Sequence, residues 1–418
     1  MRVAVVGSGV AGLVSAWLLA RDGTRAVVLY EAQDRVGGHV NTVDVPTGDG
    51  RTLAVDTGFI VFNETNYPGL CQLFDELHIA SKPSDMSFSV QCARTGLEYR
   101  GSGFGGFFAQ RRNLLRRRHW RLLKDILRFF RTASEASRGA PDTLTLGAFL
   151  TEEGYGTDFV AHFAIPMGAA LWSARGDRIL EFPARYFVEF FENHAFLDLT
   201  GRPTWRVVEG GSRTYVEALL ADYRGEVRLS APVTSVRRGD GEVSVRSPAQ
   251  PAETYDAVVL ALPADLALRI LDDASEAERG VLGAFTFQKN DTLLHTDTSM
   301  LPRARGAWAS WNYHVPVDET GPAAVTYDMN RLQGLDEPVR YLVTLNRWAD
   351  VAPDAILQQI TYHHPVHTPA SRAAQLRKGE ISGRNMTCYA GAYWGYGFHE
   401  DGVQSAFDAC RRLGVELS

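Results

Sequence analysis

Apolar residues run in two registers along the start of this chain. Arg2-Val3-Ala4-Val5-Val6 is an unbroken, β-branched run, the pattern of a strand buried on both faces. Val10, Leu13, Val14, Trp17 and Leu18 then recur at the spacing of one helix face. Arg21-Asp22-Gly23 ends that helix, and Ala26-Val27-Val28-Leu29-Tyr30 reads as a second buried strand closed by Glu31. Together they predict a βαβ unit. Residues 3–20 are apolar enough to suggest a leader or an anchor. However, Gly7, Gly9 and Gly12 interrupt them, and they fall short of the roughly 20 apolar residues that span a bilayer.

Further along, residues 69–82 and 111–138 read as helices, and 139–205 is mixed and rich in aromatics. Residues 226–260 read as a β-meander, with runs at 227–229, 233–236, 243–245 and 257–260 and turns at 239–241 and 248–251. Strand-like runs continue through 292–345, and the tail returns to a Gly-rich turn and a short helix over 403–413. No repeat or low-complexity linker divides the chain.

The turn between the first strand and helix is Gly7-Ser8-Gly9-Val10-Ala11-Gly12, a G-x-G-x-x-G pattern. Its first glycine makes the turn, its second admits a pyrophosphate, and its third lets helix pack on strand. Backbone N–H groups and the helix dipole then face the anion. Glu31, 19 residues after Gly12, stands where a carboxylate accepts from a ribose hydroxyl. An acid there disfavours a 2′-phosphate, so NADP is not expected. A second glycine pair, Gly37-Gly38, suggests another close approach by a longer cofactor, which points to FAD over NAD.

Composition narrows the class. With 418 residues, 43 Lys+Arg, 49 Asp+Glu and a net charge of −6, the chain has length for a large core and no overall basic surface for nucleic acid. Cys71, Cys92, Cys388 and Cys410 form no C-x-x-C pair and no zinc spacing. Neither a disulfide framework nor a metal site is expected, and a reducing cytosol is the expected compartment.

These residues resemble the flavin amine oxidase superfamily, which shares its FAD domain with phytoene desaturases. The resemblance rests on Gly7 to Gly12, Glu31, Arg35-x-Gly37-Gly38, and the closing run Tyr389-Ala390-Gly391-Ala392-Tyr393-Trp394-Gly395-Tyr396-Gly397-Phe398-His399-Glu400-Asp401-Gly402. Ala261-Leu262-Pro263 fits the superfamily's strand end, and Val233 fits its adenine-contacting strand. More narrowly, Gly38-His39-Val40-Asn41-Thr42, the run Asp56-Thr57-Gly58-Phe59-Ile60-Val61-Phe62-Asn63, and Ser310-Trp311-Asn312-Tyr313-His314 resemble a bacterial branch of predicted NAD/FAD-binding proteins. That branch is associated with cyclopropane-fatty-acid-type lipid modification. Two departures, His39 where Arg is common and Ala392 where an acid often follows Ala-Gly, weigh against simple amine oxidation.

The resemblance implies an α/β chain: a doubly wound (Rossmann-like, glutathione-reductase-type) FAD domain interleaved with a mixed α+β substrate domain. The FAD domain is expected from 1–68, 206–285 and 376–418, and the substrate domain from 69–205 and 286–375. Noncovalent FAD is expected to lie against Gly7, Gly9, Val10, Ala11, Gly12, Glu31, Ala32, Gly37, Gly38, His39 and Thr42. Gly58, Phe59, Ile60, Val233, Gly391, Glu400, Gly402 and Val403 complete that set. A helix starting near Gly402 would aim its N–H groups at the flavin's N1 and C2=O. Candidate acid–base groups are His399, His314 and Tyr313, with His39 also considered, and Lys289 stands where the superfamily places a lysine near N5.

Residues 111–131 carry nine basic side chains and one acid, a net of +8, which leaves −14 on the rest of the chain. Most of the bases share one side of a helical wheel, with Leu115, His119, Leu122, Ile126, Phe129 and Phe130 on the other. This basic amphipathic helix, beside Phe104, Phe107 and Phe108, reads as a peripheral contact for anionic membrane on the cytoplasmic face. The expected activity is FAD-dependent oxidation or desaturation of an unsaturated or methylated fatty acyl chain by hydride transfer to N5. Amine or polyamine oxidation, acyl double-bond isomerisation and a non-catalytic flavin-bearing lipid-binding protein are the alternatives. No nucleic-acid partner is expected.

Overall fold

A computed structural model of the protein describes residues 1–141, 143–198, 201–248, 250–317 and 323–416. The opening strand, Arg2–Val6, lies at the centre of a five-stranded sheet. Across the sheet the order is Thr387–Tyr389, Ala257–Leu260, Arg2–Val6, Ala26–Tyr30 and Glu226–Arg228, with every neighbouring pair parallel. Val3, Ala4 and Val5 are fully buried, so both faces of the strand are covered and its apolar run is unbroken. The opening helix, Val10–Ala20, is buried all round. The sheet covers one side of it, while Arg213–Asp222 and the closing helix, His399–Arg412, cover the rest.

The meander expected over 226–260 divides between two sheets. Glu226–Arg228 and Ala257–Leu260 join the parallel sheet, and only Ser235–Gly239, Glu242–Arg246 and Glu253–Tyr255 form an antiparallel trio. Val233 precedes the first strand of that trio rather than lying in it. A buried ion pair clamps the trio to its neighbours. Arg238 holds Glu278 of the helix Glu276–Leu282, with Nη2 2.9 Å from Oε2, and Tyr389 donates to the same carboxylate.

The second large sheet has seven strands in the order Ile356–Val366, Thr286–His295, Leu342–Leu345, Val325–Asp328, Trp311–Val315, Phe88–Cys92 and Glu98–Arg100. All its pairings are antiparallel except that of Trp311–Val315 with Phe88–Cys92. Pro365 is tolerated because Ile356–Val366 is an edge strand.

Three helix expectations change. The helix expected over 69–82 is Pro68–Glu76; His78 turns left-handed (φ 55°), and Ser81–Pro83 is a strand paired with Arg206–Val208. The basic helix is broken at Arg116, whose backbone is extended. A 3-10 turn, Arg111–Leu115, precedes it, pinned by fully buried Asn113 bonding to Gln110 Oε1 at 3.1 Å, and the helix proper is Arg117–Arg138. The closing helix begins at His399, three residues before Gly402, because the Asp401 carboxylate accepts from Phe398 N at 2.9 Å and fixes the first turn there. Among the described residues no helix is long and apolar enough to cross a membrane.

Candidate active site

The three glycines of the opening turn have different reasons to be glycine. Gly7 has φ +98°, and a Cβ on it would lie 2.4 Å from Ala261 O. A Cβ on Gly12 would lie 1.8 Å from Gly7 O, so backbone contact demands glycine there. Gly9 has an ordinary φ of −64°, and its Cβ would meet nothing within 4 Å. Packing does not require Gly9. The open space beside it marks where a ligand would come close, because the first-turn N–H groups of Val10, Ala11 and Gly12 lack intrahelical acceptors.

The second glycine pair packs on the first turn. Gly37 N donates to Ser8 O at 2.9 Å, and a Cβ on Gly38 would come within 3.1 Å of Gly9 Cα. Glu31 ends the strand Ala26–Tyr30 and turns back to that same spot: Oε2 accepts from Ser8 N at 3.0 Å and from the Ser8 hydroxyl, while Oε1 accepts from Gln33 N at 2.8 Å. Arg35 is committed to backbone carbonyls, with 2.9 Å from Nη2 to Gly38 O.

Beyond the glycines the cleft is walled by imidazoles and aromatic rings. His39 is exposed into it; its ring stacks on Tyr362 (4.9 Å) and meets His364 edge-on (5.1 Å). Gly58 lies under His39, where a Cβ would be 2.1 Å from the His39 carbonyl oxygen, and Phe59 N donates to that carbonyl at 2.8 Å. Phe59 in turn stacks on His399 at 3.8 Å, and His399 Nε2 is 2.6 Å from the Tyr215 hydroxyl. The surrounding protein holds these rings neutral. Burial lowers His364 and His399 to about 3, and the protein packed around the His39 ring, with His363 and Arg35 beside it, lowers that group too.

The closing segment reaches the cleft along an aromatic wall. Gly391, at φ +155°, donates its N–H to Ser405 Oγ at 2.8 Å. Trp172 Nε1 donates to Tyr396 O at 3.0 Å and Tyr186 OH to Gly395 O at 3.0 Å, while Phe190 stacks on Phe398 at 5.0 Å. His367 completes this wall with its Nδ1 3.1 Å from Tyr186 OH; its Nε2 is buried without a partner, and burial lowers it to about 4. A Cβ on Gly402 would lie 2.7 Å from Val10 Cγ1, so the starts of the opening and closing helices touch.

The structure thus gathers Gly7 to Gly12, Glu31, Gly37 to His39, Gly58 to Ile60 and the segment 391–402 around one cleft. Several expected members do other work. Glu400 caps the helix Pro68–Glu76, accepting from Gly69 N at 2.8 Å and Leu70 N at 2.9 Å. Val403 is fully buried in the core, Ala32 is exposed, and Thr42 is bonded to Asp56 at 2.6 Å, a carboxyl that burial pushes up to about 6. Lys289 points outward, its side chain 60% exposed and paired with Asp291 at 2.9 Å. Along its strand Asn290 and Thr292 face inward, so period-2 alternation puts Lys289 and Asp291 on the outer face. His314 is 3.5 Å from Gln91 and is lowered to about 4 by burial and then by Arg347; Tyr313 is buried in the core.

Sequence reading passed over Tyr362, His364 and His367, all supplied by or just after the edge strand Ile356–Val366. The available signal was the run Tyr362-His363-His364-Pro365-Val366-His367, dense in imidazole. A separate pocket of about 90 Å³ is lined by Arg116, Arg118, His119 and His162 among others.

An open glycine turn feeding a helix N-terminus, an acid at the next strand's end and a second helix start touching the first are what an adenine dinucleotide with a further ring requires. These features define a dinucleotide-binding flavoprotein. The flavin containing amine oxidoreductase family model matches residues 10–285, and the chain belongs to that family. It is an FAD-dependent oxidoreductase of the amine-oxidase type.

Solved structures share the fold across the whole molecule. A CLA-producing fatty acid isomerase from P. acnes is 17% identical with a TM-score of 0.69, and 99% of each chain is covered. A wild-type putrescine oxidase bound to putrescine is 16% identical, also with a TM-score of 0.69 and 99% of each chain covered. Tryptophan 2-monooxygenase from Pseudomonas savastanoi is 59% identical over 39 residues, which is 9% of this chain and 7% of that protein. The chain therefore spans a small fraction of the length of that curated relative.

Proposed function

We propose that the protein oxidises or desaturates an unsaturated or methylated fatty acyl chain. FAD, when bound, supplies the hydride acceptor. The observation that carries this reading is the wall along the closing segment: Trp172, Tyr186, Phe190, Tyr396 and Phe398 are packed ring to ring beside imidazoles held neutral. Trp172, Tyr186 and Phe190 are buried and back Tyr396 and Phe398, which stay partly exposed; a hydrocarbon chain laid against those two rings would bury apolar area. The wall offers an ammonium substrate little, since the nearby Asp401 carboxyl is pushed up to about 7 by burial and is bonded to Phe398 N.

In this reading the chain's own residues bind and orient. The first-turn N–H groups at Val10 to Gly12 face the pyrophosphate, Glu31 the ribose, and the Phe59–His399 stack packs beside the closing helix start. His399 and His39 are neutral at pH 7 and, lowered to about 3 and about 4, are weak bases, so their part is to line the site and orient its contents. That the same fold houses a fatty acid isomerase supports an acyl substrate and makes isomerisation the second reading.

The test is anaerobic mixing of the holoprotein with phospholipid carrying unsaturated or methylated acyl chains. Bleaching of the flavin with a product lacking two hydrogens supports the proposal. An unshifted product mass with a moved double bond transfers the assignment to isomerisation. Bleaching by polyamines and not by lipid overturns it.

A further inference from the structure

The helix Arg117–Arg138 does not lie on a surface by its apolar stripe. His119, Leu122, Ile126, Phe129 and Ala133 are buried in the protein core. What remains uncovered is a knob at the start of that helix. Leu115 is 91% exposed, Phe104 63%, Trp120 44% and Leu114 40%. Its members adjoin: the Phe104 and Trp120 rings are 6.4 Å apart over buried Phe108, and Leu115 follows Leu114 in the chain. Phe104 contacts Phe108 (ring centroids 4.5 Å apart), Phe108 contacts Trp120 (4.9 Å), and Trp120 Nε1 donates to Leu114 O at 2.9 Å.

Arginines collar it. Arg111, Arg112, Arg116, Arg117 and Arg121 are exposed, with no acid between residues 111 and 121. Among the described residues none of these five pairs with a carboxylate, whereas Arg118 is spent on Asp158. The collar is dense positive charge on a chain that is −14 outside 111–131. A large apolar residue almost wholly in water, next to a tryptophan and ringed by bases, costs solubility unless a partner covers it.

We infer that this knob seats the protein on an anionic bilayer. Leu115, Leu114 and Phe104 enter the headgroup–acyl boundary, and the arginines hold phosphate oxygens around them. Charge complementarity decides for lipid over a second copy of the chain, because two such collars would repel each other. The exposed leucines decide against nucleic acid, whose backbone offers nothing apolar to receive them. The inference concerns docking and stands whether or not the acyl reading of the cleft holds.

Vesicle co-sedimentation tests it, with phosphatidylglycerol-rich and pure phosphatidylcholine vesicles, on the FAD-loaded protein. Each arginine adds roughly fivefold to partitioning. Arg111, Arg116, Arg117 and Arg121 changed together to Ala should therefore weaken anionic-vesicle binding by several hundredfold, leaving flavin content and melting temperature unchanged. A polarity-sensitive fluorophore on L115C should shift to the blue on anionic vesicles. No anionic-vesicle binding by the wild type, an unshifted fluorophore, binding equal on both vesicle types, or selective capture by duplex DNA without vesicle binding would each overturn the inference.

Discussion

Gly9 and Gly12 sit in the same turn, three residues apart, and the structure assigns them opposite liabilities. At Gly9 an added methyl group meets nothing within 4 Å, and φ −64°, ψ 177° suits alanine. Removing a glycine from the unfolded chain stabilises by about 0.4–1 kcal/mol. Alanine is a poorer N-cap than glycine by about the same amount. Gly9→Ala should therefore leave the apoprotein within about 1 kcal/mol of wild type. The methyl group would, however, stand in the space the pyrophosphate needs. Pushing the anion off two first-turn N–H groups forfeits two charge-assisted hydrogen bonds at about 1.5–3 kcal/mol each. The FAD dissociation constant should rise by roughly 10² to 10⁴-fold. Gly12→Ala reverses the pattern. Its methyl group would lie 1.8 Å from Gly7 O, a clash with backbone that only moving the helix relieves, so the apoprotein itself should lose about 3 kcal/mol or more. Circular-dichroism melting of both apoproteins and a flavin-quenching titration of Gly9→Ala separate the two effects. A Gly9→Ala protein that binds FAD within about threefold of wild type would refute the reading of that gap as the pyrophosphate site.

Other outcomes follow from the same geometry. Glu31→Ala removes the acceptor at the ribose position and unties Ser8 N, so FAD affinity should fall about 10- to 100-fold in the same titration; unchanged affinity refutes the role. Glu278→Ala strips Arg238 of its buried partner, leaving only Asp273 at 3.1 Å, and removes the acceptor of the Tyr389 hydroxyl, so it should cost about 2–3 kcal/mol in denaturant unfolding, with a loss below about 1 kcal/mol counting against it. Acidification should destabilise the apoprotein. Burial holds His194, His295, His314, His364, His367 and His399 at about 3 or 4. The unfolded chain takes up those protons near 6.5, so stability present above that pH drains away toward 4. Asp56 and Asp401, raised to about 6 and about 7 by burial, lose stability in the opposite direction as pH rises, but they are outnumbered. A melting temperature that stays flat or climbs from pH 7 to pH 5 would contradict this.

The sequence by itself determined the opening βαβ unit, the glycine turn with Glu31, and the glycine-rich turn that leads into a closing helix. Each is a contiguous pattern in which backbone conformation or two-sided burial dictates residue type: Val3 to Val5 must be apolar with both faces covered, and Gly7 and Gly12 must lack side chains where backbone presses on backbone. Only the tertiary structure decided where side chains end up. Lys289 points to solvent because Asn290 and Thr292 of its strand take the inner face, and Glu400 caps a helix some 330 residues away in sequence. Tyr362 and His364 reach His39 because an edge strand passes the second glycine pair. The apolar stripe of the basic helix turns inward, leaving only the Leu115 knob uncovered. Local periodicity records which residues want burial; which neighbour provides it depends on sheet order and register, set by contacts between segments far apart in the chain.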